Sequence, residues 1–207
     1  MTSQNTICKE IYEKDIIKLS DHEVFLDAGA YDGGTAVQFA RYCAECGKDY
    51  KRIVCFEPST AFQKCQENVT GAGLHDCDVV NAGLYICNKE VSFDNSLVNG
   101  GSAAIVYNSG TNVREEWTSI RTVAIDDCTS CADVTFIKMD IEGAELDALM
   151  GAERTIRSNK PKLAICIYHK PEDVIKIPMY IESLRSDYKF FIRKYTPHHG
   201  EIVLYAV

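Results

Sequence analysis

Apolar and polar residues along the chain alternate between two periods. Ile7, Ile11, Ile16 and Leu19 recur at helical spacing, which predicts an amphipathic helix over 5–19 that covers an edge or face of a sheet. Short apolar runs then alternate with helix-period stretches: strands at 24–27, 52–57 and 78–81, with helices at 35–46 and 61–72 between them. The same rhythm returns as strand 135–140, helix 144–157, strand 162–168 and a helix near 179–186. Segments 190–195 and 201–207 flank Thr196-Pro197-His198-His199-Gly200, a five-residue hairpin signal containing glycine. Strands separated by helices imply right-handed βαβ crossovers and a mostly parallel sheet with helices on both faces, ending here in an antiparallel pair.

The rhythm breaks between 92 and 112, where Asn95, Ser96, Asn99, Gly100, Gly101 and Ser102 supply turn chemistry. The stretch is too long and polar for a simple crossover, so it reads as a loop acting as a lid or substrate wall. The alternative is an extra β-hairpin turning at Gly100-Gly101. Trp117 and Tyr107 either stack on a sugar ring there or pack the lid on the core.

Length and charge narrow the classes. At 207 residues the expectation is one domain over 1–207, with 1–21 as a helical extension. With 22 basic against 30 acidic residues and a net charge of -8, the chain has no general electrostatic footprint for nucleic acid or anionic lipid. A small-molecule partner is therefore expected. The first residues show no basic region leading into an apolar stretch, and no long apolar run follows, so a soluble cytoplasmic protein is expected. Ten cysteines include Cys43-x-x-Cys46 and Cys128-x-x-Cys131, spacings suited to zinc or to a redox dithiol. The gap between the pairs is far longer than in a zinc ribbon, and Cys43 shares a helix with Phe39 and Ala40. Cys55 and Cys166 lie inside strand-like runs. The cysteines read as reduced core thiols.

Three strands end in an acid: Asp27, Glu57 and Asp140. In an open parallel sheet the carboxyl ends of neighbouring strands converge on one crevice, so these acids surround one pocket. Glu57, at the end of the second strand, is placed to accept both hydroxyls of a ribose; Pro58 and Ser59 behind it start the next helix. The turn Gly29-Ala30-Tyr31-Asp32-Gly33 is not the G-x-G-x-x-G that a pyrophosphate requires. Asp27 and Asp32 also oppose bound phosphate and favour a neutral or cationic ligand. An NAD-dependent oxidoreductase thus lacks its fingerprint, whereas a sulfonium has no phosphate to cradle.

Four blocks, V-F-L-D-A-G-A-Y-D-G-G-T (24–35), C-F-E-P-S (55–59), N-A-G-L-Y (81–85) and F-I-K-M-D-I-E-G-A-E (136–145), resemble in this order the FkbM-type S-adenosylmethionine-dependent methyltransferases. The resemblance covers residues 22–207 and implies the class I methyltransferase fold, Rossmann-like, with a seven-stranded sheet whose last strand is antiparallel. It implies S-adenosyl-L-methionine as cofactor. Asp27, Gly29, Ala30, Tyr31 and Gly33 would line its methionine part, Glu57 with Pro58 and Ser59 its ribose, and Asn81 with Ala82 its adenine. Asp140 and Glu142 would face the sulfonium and the acceptor. Many relatives have Asn at Tyr31, Ser at Ala36 and Ser at Tyr85.

The family's precedents imply a hydroxyl acceptor on a sugar, glycolipid or polyketide-like small molecule. A hydroxyl nucleophile calls for a base within hydrogen-bond reach, and Asp140 and His169 are the catalytic candidates. His169 follows an apolar strand and so lies at the same edge as the acids. With an ordinary pKa near 6.5 it could accept a proton at neutral pH. His198 and His199 read as turn residues. A divalent metal held by Asp140, Glu142 and His169 is the alternative use of this cluster, with Glu145, a turn further on, a ligand or a solvated helix acid. A non-catalytic adenosyl-binding module would keep Glu57 and the glycine turn and need no base.

Overall fold

The computed structural model describes residues 15–94, 104–106, 117–196 and 201–207. Chain order is β1 (Glu23–Ala28), α1 (Gly34–Glu45), β2 (Tyr50–Phe56), α2 (Phe62–Gly71) and β3 (Cys77–Val80), then four short strands, β4 (Gly83–Leu84), β5 (Lys89–Asp94), β6 (Ala104–Val106) and β7 (Trp117–Val123). Two 3-10 turns, Ile125–Asp127 and Thr129–Cys131, lead into β8 (Phe136–Met139). The chain ends with α3 (Glu145–Met150), α4 (Glu153–Asn159), β9 (Lys162–Cys166), α5 (Asp173–Leu184), β10 (Phe190–Lys194) and β11 (Ile202–Ala206).

The main sheet has seven strands in the order β10-β11-β9-β8-β1-β2-β3, and β11 runs antiparallel to both its neighbours. Alternate residues of each strand feed two apolar layers. Val24, Leu26 and Ala28 of β1 pack with α3, α4 and α5, while Phe25 packs with α1 and α2. Phe25 stacks on Phe39 of α1 at 4.3 Å and lies 5.1 Å from Phe136 of β8. Each such buried ring contributes roughly 1.5–3 kcal/mol. Strand order reverses between β1 and β8, whose register sets Phe25 against Phe136 and Asp27 against Lys138. That reversal opens a crevice at the carboxyl ends of β1 and β8.

Three expectations change. Residues 15–19 form a turn and irregular chain with Ile16, Ile17 and Leu19 buried against the α1 face; the rest of the expected N-terminal helix lies outside the described residues. Within the stretch expected as a lid at 92–112, with a hairpin as the alternative, β5 and β6 pair antiparallel, Ser92 with Val106 and Asp94 with Ala104, in a second sheet ordered β4-β7-β5-β6. Gly100-Gly101 lies outside the described residues. The expected helix 144–157 is two helices that meet at Gly151, where a Cβ would stand 2.2 Å from the Tyr85 carbonyl oxygen. That close approach pins the helix junction to the start of the small sheet. The helix expected near 179 begins at Asp173, with Pro178 inside it costing one backbone hydrogen bond. Among the described residues, no helix is long and apolar enough to cross a membrane.

Candidate active site

The glycine turn is held by the strands it joins. Gly29 and Ala30 N–H both donate to the Phe56 carbonyl at the end of β2, at 3.0 and 3.1 Å. Gly29 has φ +74°, and a Cβ there would stand 2.0 Å from the Asp140 carbonyl oxygen. Only glycine lets the β1 turn lie against the end of β8. Gly33, at φ +78°, precedes α1, whose first residue, Gly34, donates its N–H to Asp32 Oδ1.

Glu57 is buried, and its two oxygens are fixed from opposite sides. Tyr31 N–H donates to Oε2 at 2.7 Å and Ser59 N–H to Oε1 at 2.9 Å. Each oxygen keeps a lone pair for a further donor. Ser59 Oγ accepts from Ala61 N–H at 3.1 Å, closing the turn before α2. Tyr31 adopts φ 49° and is 42% exposed, so its backbone serves Glu57 while its ring stays accessible. Ala82 is buried just past β3, and Asn81 beside it is exposed.

The acids of the first turn are not open charges, contrary to expectation. Asp27 is fully buried with Lys138 Nζ 3.0 Å from Oδ1. The ammonium donates to the carbonyls of Gly29 at 3.0 Å and Ala28 at 3.4 Å, and among the described residues neither Asp27 oxygen is hydrogen-bonded. Burial pushes the Asp27 carboxyl above the usual carboxylate range, with Lys138 opposing. Burial alone would depress Lys138, but Asp27 and Asp140 outweigh it and hold the amine charged. Asp32 serves its own turn: Oδ1 accepts Gly34 N–H at 3.0 Å, and its carbonyl accepts from Asn68 at 2.8 Å. The two acids of the turn are thus one half of a compensated pair and a turn cap, not two free carboxylates.

At the ends of β8 and β9 the remaining candidates meet. His169 follows β9 with its side chain 8% exposed. Its Nε2 lies 3.4 Å from Asp140 Oδ1 and 3.2 Å from Glu142 Oε2; its Nδ1 lies 3.0 Å from Glu145 Oε1. Tyr168 donates its hydroxyl to Asp140 Oδ1 at 3.2 Å. Burial would lower the His169 pKa, yet Glu142, Glu145 and Asp140 prevail and push it up to about 10. The surrounding acids thus favour the protonated ring, where the ordinary pKa would leave it a free base at neutral pH. Glu145 is a buried partner and not a solvated helix acid; Oε1 also accepts Ile141 N–H at 2.9 Å. Sequence reasoning passed over Lys138 and Tyr168. A lysine inside an apolar strand was the available signal for the first; the second carried none.

The cysteine pairs lie on opposite faces of the sheet, Cys43 in the α1 layer and Cys131 in the other. Cys131 donates its thiol to Cys128 Sγ at 3.1 Å, which holds the Cys128 pKa down to about 6. Among the described residues, the one group of three side chains with ligand atoms within 4.8 Å of one another is Asp140, Glu145 and His169.

The sheet order, the antiparallel β11 and a switch-point crevice lined by a glycine turn, a strand-end glutamate and an acid-histidine cluster define a methyltransferase-type α/β fold. The model of the methyltransferase FkbM domain matches residues 27–204, and the chain belongs to that family. It is similar to the solved methyltransferase FkbM from Methylobacillus flagellatus KT, with 28% identity and a TM-score of 0.75 over 97% of this chain and 48% of that one. The chain thus spans about half the length of that relative. The ribosomal protein L11 methylase from Lactobacillus delbrueckii subsp. bulgaricus shares the fold at 11% identity and a TM-score of 0.51, over 100% of this chain and 79% of that one. No curated protein matches the chain.

Proposed function

We propose that the protein is an S-adenosylmethionine-dependent O-methyltransferase acting on a hydroxyl of a sugar, glycolipid or polyketide-like small molecule. The observation that carries this reading is the convergence of the glycine turn, Glu57 and the Asp140–His169 cluster on one crevice in a chain of the FkbM family. The residues suit the cofactor. Glu57 is pre-oriented with free lone pairs for two ribose hydroxyls, and Gly29 leaves room where any side chain would strike Asp140. Gly33 and the turn ahead of α1 would lie by the methionine part, with Ala30 and Tyr31 beside them. Asn81 and Ala82, past β3, flank the adenine, and Pro58 with Ser59 completes the ribose wall.

The cofactor supplies an electrophilic methyl group on a positively charged sulfur. The protein's share is alignment, exclusion of water and removal of the acceptor's proton. Asp140 takes that proton as the oxygen–carbon bond forms. Tyr168 and His169 hold its carboxylate toward the crevice. Glu142 and Glu145 keep the His169 ring in place.

Thermal melting with S-adenosylmethionine, S-adenosylhomocysteine and NAD tests the reading. Ligand at about a hundred times its dissociation constant stabilises by roughly 2.7 kcal/mol, a rise of several degrees. Stabilisation by NAD alone would overturn the proposal.

A further inference from the structure

The Cys128-x-x-Cys131 turn takes no part in the chemistry of the crevice. It lies where the 3-10 turn Thr129–Cys131 leads into β8, at the amino ends of the strands; Arg52, near the start of β2, donates to the Ser130 carbonyl at 3.1 Å. The crevice opens at the opposite ends. The two sulfurs stand 3.1 Å apart, and since a disulfide bond measures about 2.05 Å, closing one needs about 1 Å of approach. The pair is also asymmetric. Cys131 is fully buried in an apolar layer, whereas Cys128 is partly exposed. The Cys131 thiol, with the N–H groups of Cys131 and Ser130, favours the Cys128 thiolate, while Cys128 and burial push the Cys131 thiol up. Among the described residues no third metal-ligating side chain stands with the two, so they form a dithiol and not part of a metal centre.

We propose that Cys128 and Cys131 form a thiol–disulfide exchange site, which a small-molecule disulfide such as oxidised glutathione converts to an internal disulfide. The Cys128 thiolate attacks one sulfur of the small disulfide; the new S–S bond forms as the old one breaks, and one small thiolate leaves and is protonated by solvent. Cys131 then attacks the Cys128 sulfur, gives its proton to the second departing small thiolate, and closes the bridge. The two cysteines are oxidised by two electrons, and the small disulfide is reduced to two thiols. Exposure sets the order of events, because Cys128 is reachable from solvent and the buried Cys131 is already seated against it to complete the exchange. Reduction by small thiols runs the same steps backwards. The site lies at the other end of the sheet from the crevice and does not depend on the methyltransferase reading.

The test equilibrates the full chain with reduced and oxidised glutathione at neutral pH, quenches it in acid, alkylates the remaining thiols and maps the peptides by mass spectrometry. Cys46 and Cys87, both exposed, are internal controls. At about a tenfold excess of reduced over oxidised glutathione, the internal bridge should be the main form of the turn, while the controls carry glutathione on about a tenth of the chains. Cys131→Ala should halt the exchange at the mixed disulfide, leaving glutathione on Cys128 at the low occupancy of the controls. Cys128→Ser should leave the turn unmodified, because Cys131 is out of reach of solvent. Circular dichroism verifies that each variant is folded, and the second, at the more exposed position, decides the matter should the first unfold. A wild-type protein without the bridge, a bridge that appears only after denaturation, or glutathione on Cys131 in folded Cys128→Ser overturns the proposal.

Discussion

The two ends of β1 each bury a carboxylate facing a lysine, on the same face of the strand with Phe25 between them, and they differ in one respect. At the amino end, Glu23 is saturated: Lys162 Nζ donates at 2.6 Å, and the Thr135 hydroxyl and Ser20 N–H donate as well. At the carboxyl end, Asp27 has only a lysine 3.0 Å from one oxygen, which it shares with two backbone carbonyls, and no other donor among the described residues reaches either oxygen. A satisfied buried acid fixes structure. A buried acid left short of donors is under-satisfied, and this end is the one that opens on the crevice.

Breaking the amino end should have the largest effect. Glu23→Ala strands the Lys162 charge and should cost about 3–5 kcal/mol in urea unfolding, with S-adenosylhomocysteine affinity unchanged in the folded fraction. Damage at the other end should show the reverse pattern. Asp140→Asn should reduce turnover by about a hundredfold or more while S-adenosylhomocysteine still binds; full activity would remove Asp140 from the mechanism. Asp27→Asn should cost about 1–3 kcal/mol of stability and weaken the cofactor product's binding, so a variant that binds normally would make Asp27 a second Glu23. The smallest effect lies in pH. Because burial raises the Asp27 pKa, the folded state binds that proton more readily than the unfolded one, and this group's contribution to stability falls as pH rises through and above the usual carboxylate range. Unfolding measured from the usual carboxylate range upward should show that slope in wild type and lose it in Asp27→Asn.

The two ends were unequally legible in the sequence. Strand-end acids at 27, 57 and 140 could be read because an alternating β and α pattern dictates where strand ends converge. The partner of Asp27 could not, because Asp27 and Lys138 face each other only through the β1–β8 register, which follows from strand order and not from local pattern. Glu145 was ambiguous for another reason: an acid in a helix's first turn ordinarily faces water and the helix dipole, and here tertiary packing turned it onto His169. The small sheet was obscured by composition. Val91 and Phe93 alternate as a strand should, but the Asn, Gly and Ser that follow outweighed so short a run.

The β1–β8 pairing also sets when the site can exist. Lys138 reaches the Gly29 carbonyl across 109 residues of chain, so β1 has no neighbour on that side until β8 has been synthesised. At about 5–20 residues per second, the glycine turn waits on the order of ten seconds for β8. Long-range parallel pairing of this kind is slow to form even afterwards. A chain ending before β8 would therefore lack the buried ion pair, the seat for Gly29 against Asp140 and the crevice between them.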